Sequence, residues 1–97
     1  MMHPLHAAEG RRDFTVHLTF LSGHEGVVDL SGFVGRGEVT APLRADPDFF
    51  VSSLRVLPDG DGIGWPGDVD IDADALWYKL FPEDWERDFG SRDRRTG

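Results

Sequence analysis

Phe14-Thr15-Val16-His17-Leu18-Thr19-Phe20-Leu21-Ser22-Gly23-His24-Glu25-Gly26-Val27-Val28-Asp29-Leu30 is the stretch that decides the fold. Phe14, Val16, Leu18 and Phe20 alternate with Thr15, His17 and Thr19, the period of two that a strand with one buried face requires. Gly26, Val28 and Leu30 carry the even-numbered pattern on after a turn. Directly opposed residues of an antiparallel pair share a face, so both runs point inward only if paired residues have the same parity. That excludes a two-residue loop and selects Leu21-Ser22-Gly23, with Gly23 in the left-handed conformation that closes such a hairpin. The register follows: Phe20 opposite His24, Leu18 opposite Gly26, Val16 opposite Val28, and Phe14 opposite Leu30. His17 and Val27 then meet on the other face, which makes His17 a solvent-side residue rather than a ligand.

Outward from this hairpin, Asp46-Pro47-Asp48 reads as an N-cap, a proline at the first helical position and an acid near the positive helix end. A short helical turn carrying Phe49 and Phe50 inward is expected there. Leu54, Val56 and Leu57 predict a strand that stops at Pro58, and a glycine-aspartate loop then leads to a short strand, Ile63 to Trp65, as a second hairpin. Asp70 is expected to satisfy backbone groups in the turn after Trp65-Pro66, and Asp72 to cap a helix through Leu80 with Ala73, Leu76 and Leu80 on one stripe and Trp77 beside it. Past Pro82, Trp85 and Phe89 are four apart and able to fold back on the core.

The architecture that fits is α+β: a small antiparallel sheet of about four or five strands, including Leu5 to Glu9, with the C-terminal helix on one face. With 97 residues the chain makes one domain, expected over residues 1–82, with 83–97 a partly disordered tail whose polar end runs from Gly90. Hydrophobic residues at 39% and aromatics at 11% supply one core, and 29% charged residues describe an ordinary soluble protein. No cysteine is present, which closes disulfide, thiolate-metal and thiol-nucleophile chemistry together. No stretch approaches the roughly 20 apolar residues of a membrane helix, and Met1 to Arg12 lacks the apolar run of a secretory signal, so the expected address is cytoplasmic, with no membrane partner.

The formal charge is −8, and its distribution is uneven. Residues 59–82 hold six aspartates, at 59, 61, 68, 70, 72 and 74, against the single base Lys79, a net −5. A phosphate-binding surface needs clustered Lys and Arg, so nucleic acid is not expected as a direct partner, whereas a basic protein is.

Leu18-x-Phe20-x-x-Gly23, Val28-Asp29-Leu30, Leu43 with Asp46 and Phe50, Ile63-x-Trp65-Pro66 and Asp70-Ile71 with Leu76 together resemble a small bacterial family, domain of unknown function 2442. The resemblance runs from about Leu5 to Leu80, and Trp-Pro followed by an Asp-aliphatic pair is its most specific part. The family usually has Asn-Gly after Trp-Pro, where this chain has Gly67-Asp68, so the tight turn is expected to be made with the glycine one place earlier. The resemblance implies a small α+β domain with no assigned activity. Its members occur alone, joined to a helix-turn-helix, or encoded beside another small protein in an arrangement resembling a toxin-antitoxin pair. The residues left after Leu80 are too few for a helix-turn-helix.

Candidate chemistry is sparse. Counted as an EF-hand from Asp68, the sixth position is Ala73 where glycine is needed and the twelfth is Lys79 where a bidentate glutamate is needed; counted from Asp59, the fifth is Ile63. Asp59-Gly60-Asp61-Gly62 lacks the Lys and Ser or Thr of a phosphate loop. His24 and Asp29 lack a third zinc ligand, and no serine sits in a glycine elbow. No catalytic residue, metal site or cofactor is therefore assigned. Trp65 and Trp77 read first as core. The competing reading is a hydrophobic patch with an acidic rim, formed by Trp65, Trp77, Tyr78 and Phe81 beside Asp68 and Asp70, suited to a basic protein because aromatics supply contact area and acids steer encounter. The functional expectation is a non-enzymatic interaction or regulatory domain, an antitoxin-like partner of a small basic protein. The alternative is a small-ligand or divalent-cation binder, or an enzyme, using the aspartate-rich segment. An unprotected edge strand would also allow a homodimer.

Overall fold

The computed structural model describes residues 2–90. The first sheet holds strands β1 (Leu5–Gly10), β2 (Thr15–Phe20) and β3 (Glu25–Asp29), antiparallel in that order. The hairpin register is the one parity demands: Val16 lies opposite Val28, His17 opposite Val27 and Leu18 opposite Gly26. Phe20 N–H donates to the His24 carbonyl at 2.9 Å, and Gly23 takes a φ of +95° in the three-residue loop. On the outer face His17 Nε2 meets Glu25 Oε1 at 2.9 Å, so His17 is a solvent-side residue as expected.

Between the sheets the chain forms three short helices, α1 (Ser31–Val34), α2 (Ala41–Ala45) and α3 (Pro47–Ser53). Asp29 opens α1 by accepting from the Ser31 N–H at 2.9 Å. The freed Val34 carbonyl at its end accepts from Arg44 Nη1 at 2.7 Å and from the buried Thr40 hydroxyl at 3.0 Å. Asp46 caps α3 through the Phe49 N–H at 3.2 Å, with Pro47 at its first position, and Phe50 is fully buried. Here the cap reading holds.

The second sheet holds β4 (Arg55–Val56), β5 (Gly62–Trp65) and β6 (Val69–Asp72), again antiparallel in that order. A 3-10 turn, Pro58–Gly60, joins the first two. All four residues of β5 are buried. Pro66 and Gly67 form the turn into β6, with Gly67 at φ +89°, so the glycine does act one place early; Asp68 is also left-handed, at +62°.

Two expectations are corrected. The chain does not build one sheet of four or five strands but two sheets of three, because residues 31–53 form helices that separate the hairpins. Val69-Asp70-Ile71-Asp72, read as a turn and a cap, is a strand: Asp70 pairs with Gly64 and Ile71 with Ile63. Helix α4 (Ala73–Leu80) follows directly, and Asp72 occupies its N-cap position without a side-chain hydrogen bond to the helix. The helix packs on β3 of the first sheet and on β5 and β6 of the second, joining them over one core that includes Leu18, Phe20, Phe50, Ile63, Trp65 and Leu76. Gly26 permits the approach, since a Cβ there would stand 3.1 Å from Leu80. A turn, α5 (Pro82–Trp85), and a π-type turn, Glu86–Gly90, complete the described chain. The expectation of a disordered end falls, from residue 91 on, outside the described residues.

Candidate functional site

At 3.6 residues per turn, α4 turns Asp72, Ala75, Leu76 and Lys79 to one side and Asp74, Trp77, Tyr78 and Phe81 to another. The two sides are built differently.

On the first side lies a cleft of about 400 Å³ between the start of α1 and the β6–α4 segment. Leu30, Phe33, Ile71, Ala75 and Leu76 give it apolar walls, and Asp70, Asp72 and Lys79 are its charged members. Phe33 keeps 38% of its surface exposed there, held in place by the hydrogen bonds that close α1. Asp59, Asp61, Asp68, Asp70 and Asp72 are all exposed, and among the described residues none of their carboxylates takes a hydrogen bond or an ion pair. Four of them follow one strip: Asp68 in the turn, Asp70 and Asp72 along β6, and Asp61 at its end, where the Asp61 carbonyl accepts from Ala73 N–H at 2.8 Å, while Asp59 lies in the 3-10 turn before β5. Asp29, nearby, is held below the ordinary carboxylate range, first by its hydrogen bond from Ser31 and in smaller part by the charge of Lys79. Same-face strand residues stand about 7 Å apart, which spreads Asp70 and Asp72 rather than converging them on one ion. Among the described residues no group of three or more His, Asp or Glu gathers as a metal would need.

On the other side Trp77 is a hub, only 6% exposed. The His3 ring lies flat on it, with centroids 4.0 Å apart and planes within 3°. Phe20 and His24 meet its edges at 5.0 and 5.1 Å, and Phe81 packs at 4.5 Å. Its Nε1–H donates to Asp84 at 2.8 Å. Asp74 accepts from the His3 N–H at 2.9 Å, which ties the segment before β1 to α4. The Tyr78 hydroxyl donates to Asp88 at 2.9 Å; burial, then that bond and the charge of Asp88, push its pKa above the ordinary tyrosine value. Trp85 and Phe89 fold back on Tyr78 at 5.4 and 5.8 Å, although Trp85 remains 51% exposed.

The six residues of the expected patch do not assemble into one surface. Trp65 is a correction: at 0% exposure on the central strand, with its ring 5.2 Å from Phe50 and its Nε1–H donated to the Phe50 carbonyl at 3.0 Å, it is core and has no face to present. Asp68 and Asp70 lie on the β6 strip, while Trp77, Tyr78 and Phe81 lie on the hub side. What the sequence did not reveal is Phe33 and Leu30 as the apolar wall beside the aspartates, and His3 and His24 as partners of Trp77. Single helical turns and ring contacts across 74 residues leave no periodic signal.

In class, this is a small α+β domain of two three-stranded antiparallel sheets around a shared core, and no helix among its described residues is long and apolar enough to cross a membrane. The family model described as protein of unknown function (DUF2442) matches residues 7–82, and the chain belongs to that family. No curated protein and no solved structure matches it.

Proposed function

We propose that the chain is a non-enzymatic, cytoplasmic interaction domain that docks a small basic protein on the acidic side of its second sheet, regulating that partner in the manner of an antitoxin-like component. The observation that carries this reading is the set of exposed carboxylates at Asp59, Asp61, Asp68, Asp70 and Asp72, four of them along β6 and its ends, none of which takes an intramolecular partner among the described residues. Carboxylates used for capping or turn-making, such as Asp46 and Asp13, contribute to the fold. These five do not, and together they set up a negative potential that raises the encounter rate of a cationic protein. The adjacent apolar cleft supplies the dry contact area that charge alone does not give.

The same cleft, with Asp70, Asp72 and Lys79 in its lining, supports a second reading in which a small ligand or a cation occupies it. Co-purification at low ionic strength, set beside a triple variant Asp68→Asn, Asp70→Asn, Asp72→Asn, separates the two. Recovery of a basic protein by the natural chain and its loss from the variant supports docking. Turnover of a small substrate or a thermal shift with divalent ions, and no protein retained, contradicts it.

A further inference from the structure

We propose that the outer edge of β6 is the docking element itself: an extended basic segment of the partner pairs with it and adds a fourth strand to the second sheet. This rests on the reading above and specifies how the acidic side is used. β6 ends the order β4-β5-β6, and among the described residues no backbone hydrogen bond joins residues 69–72 to any strand but β5. An edge strand in this state presents alternate N–H and C=O groups outward, a template for another chain. The opposite edge of that sheet, β4, has only two residues.

The cleft runs along the β6 edge. Consecutive strand residues point to opposite faces, so a cleft lined by Asp70, Ile71 and Asp72 in a row borders the strand's side rather than one of its faces. Phe33 and Leu30 form the far wall, leaving a slot between edge and wall.

Charge then selects the occupant. Residues directly opposed in a ladder lie on the same face, so a segment paired with β6 sets its own side chains against Asp70 and Asp72 on one face and against Ile71 on the other. Lys or Arg at alternate positions with an apolar residue between satisfies both. A second copy of this chain meets the reverse condition: pairing β6 with β6 brings two aspartate-bearing strands together with no cation on either strand. Like charges so placed are destabilising, and an acidic edge of this kind discourages self-pairing while leaving the edge open to a basic strand.

The test uses the full chain, ¹⁵N-labelled, and an acetylated, amidated five-residue peptide alternating lysine and valine. Two further peptides carry N-methyl groups on alternate residues, one in each frame, and a fourth alternates glutamate and valine. The expected result is binding of the parent peptide with shifts centred on residues 69–72. One N-methylated frame should bind like the parent and the other should lose at least about tenfold, because only one set of peptide N–H groups faces β6. Asp70→Asn and Asp72→Asn should each weaken binding about two- to fivefold, the range for opposed charge pairs across strands. Equal binding of both N-methylated frames overturns strand pairing while leaving charge-driven docking of a basic protein intact. Absence of peptide binding, or a chain that sediments as a dimer with its β6 amides already protected, also overturns it. Recovery of no basic protein by the natural chain in the co-purification would instead remove the underlying reading.

Discussion

On one side of α4, Trp77 touches His3, Phe20, His24 and Phe81 and gives its indole N–H to Asp84; on the other, Asp70 and Asp72 flank an apolar cleft with no intramolecular partner among the described residues. The difference teaches how to sort polar and aromatic residues that composition cannot tell apart. Where a side chain's contacts are already made within the chain, its removal is read in stability. Where they are not, the fold hardly registers its loss, and its value lies in what it meets from outside. Aspartates occur on both sides, and only their partners distinguish them.

The largest expected effect breaks the paired side. Trp77→Ala removes a nearly buried indole with four ring neighbours, and chemical denaturation should show a loss of about 3–5 kcal/mol, whereas Phe33→Ala, at a half-open wall of the cleft, should cost less than half as much. Next comes a matched pair of N-cap positions. Asp46→Ala forfeits the bond from the Phe49 N–H and should cost about 1 kcal/mol, while Asp72→Ala forfeits no such bond and should stay within about 0.5 kcal/mol. A cost at Asp72 as large as that at Asp46 would erase the distinction. Smaller still, the double variant Asp70→Asn, Asp72→Asn should match or slightly exceed the natural chain in melting temperature, with the gap closing as salt is added, because it removes like-charge repulsion and no contact.

The finest effect is in pH. Asp29 is held below its ordinary value in the folded chain, so its contribution is present above the ordinary carboxylate range and is lost as pH falls through the lowered value; Asp29→Asn should flatten the acid limb of stability. Tyr78 is shifted the other way. Its contribution is present below the ordinary value of 10.0 and is lost as pH rises from there through the raised value, so Tyr78→Phe should flatten the alkaline limb. Melting curves across pH read both.

The β2–β3 hairpin was legible because seven residues of strict alternation and a parity argument leave a single register, and the structure has that register to the residue; the pairing of β1, with its irregularity between Leu5 and Ala7, was not. The cap at Asp46 was legible for a similar reason: a local rule with a proline beside it. β6 was not. Its alternation lasts four residues, and two of them are aspartates, which are poor in strands by composition and favoured in turns and caps. What makes it a strand is the buried β5 beside it, a tertiary cause. The same limit explains the site: the acidity of residues 59–82 was visible in the sequence, but the wall of Leu30 and Phe33 that turns an acidic strand into one side of a slot comes from a segment some forty residues away. Trp65, read first as core with a surface patch as the competing reading, is settled by burial in favour of the first.

The central claim, that the β6 edge is the open surface and the Trp77 side is scaffold, is tested most directly by amide hydrogen exchange of the full chain with and without the lysine-valine peptide. The account predicts slowed exchange confined to residues 69–72 and the cleft lining around Phe33, with the amides of Trp77, Tyr78 and Phe81 unchanged. Protection appearing around Trp77, Tyr78 and Phe81 while 69–72 exchange as before would contradict it.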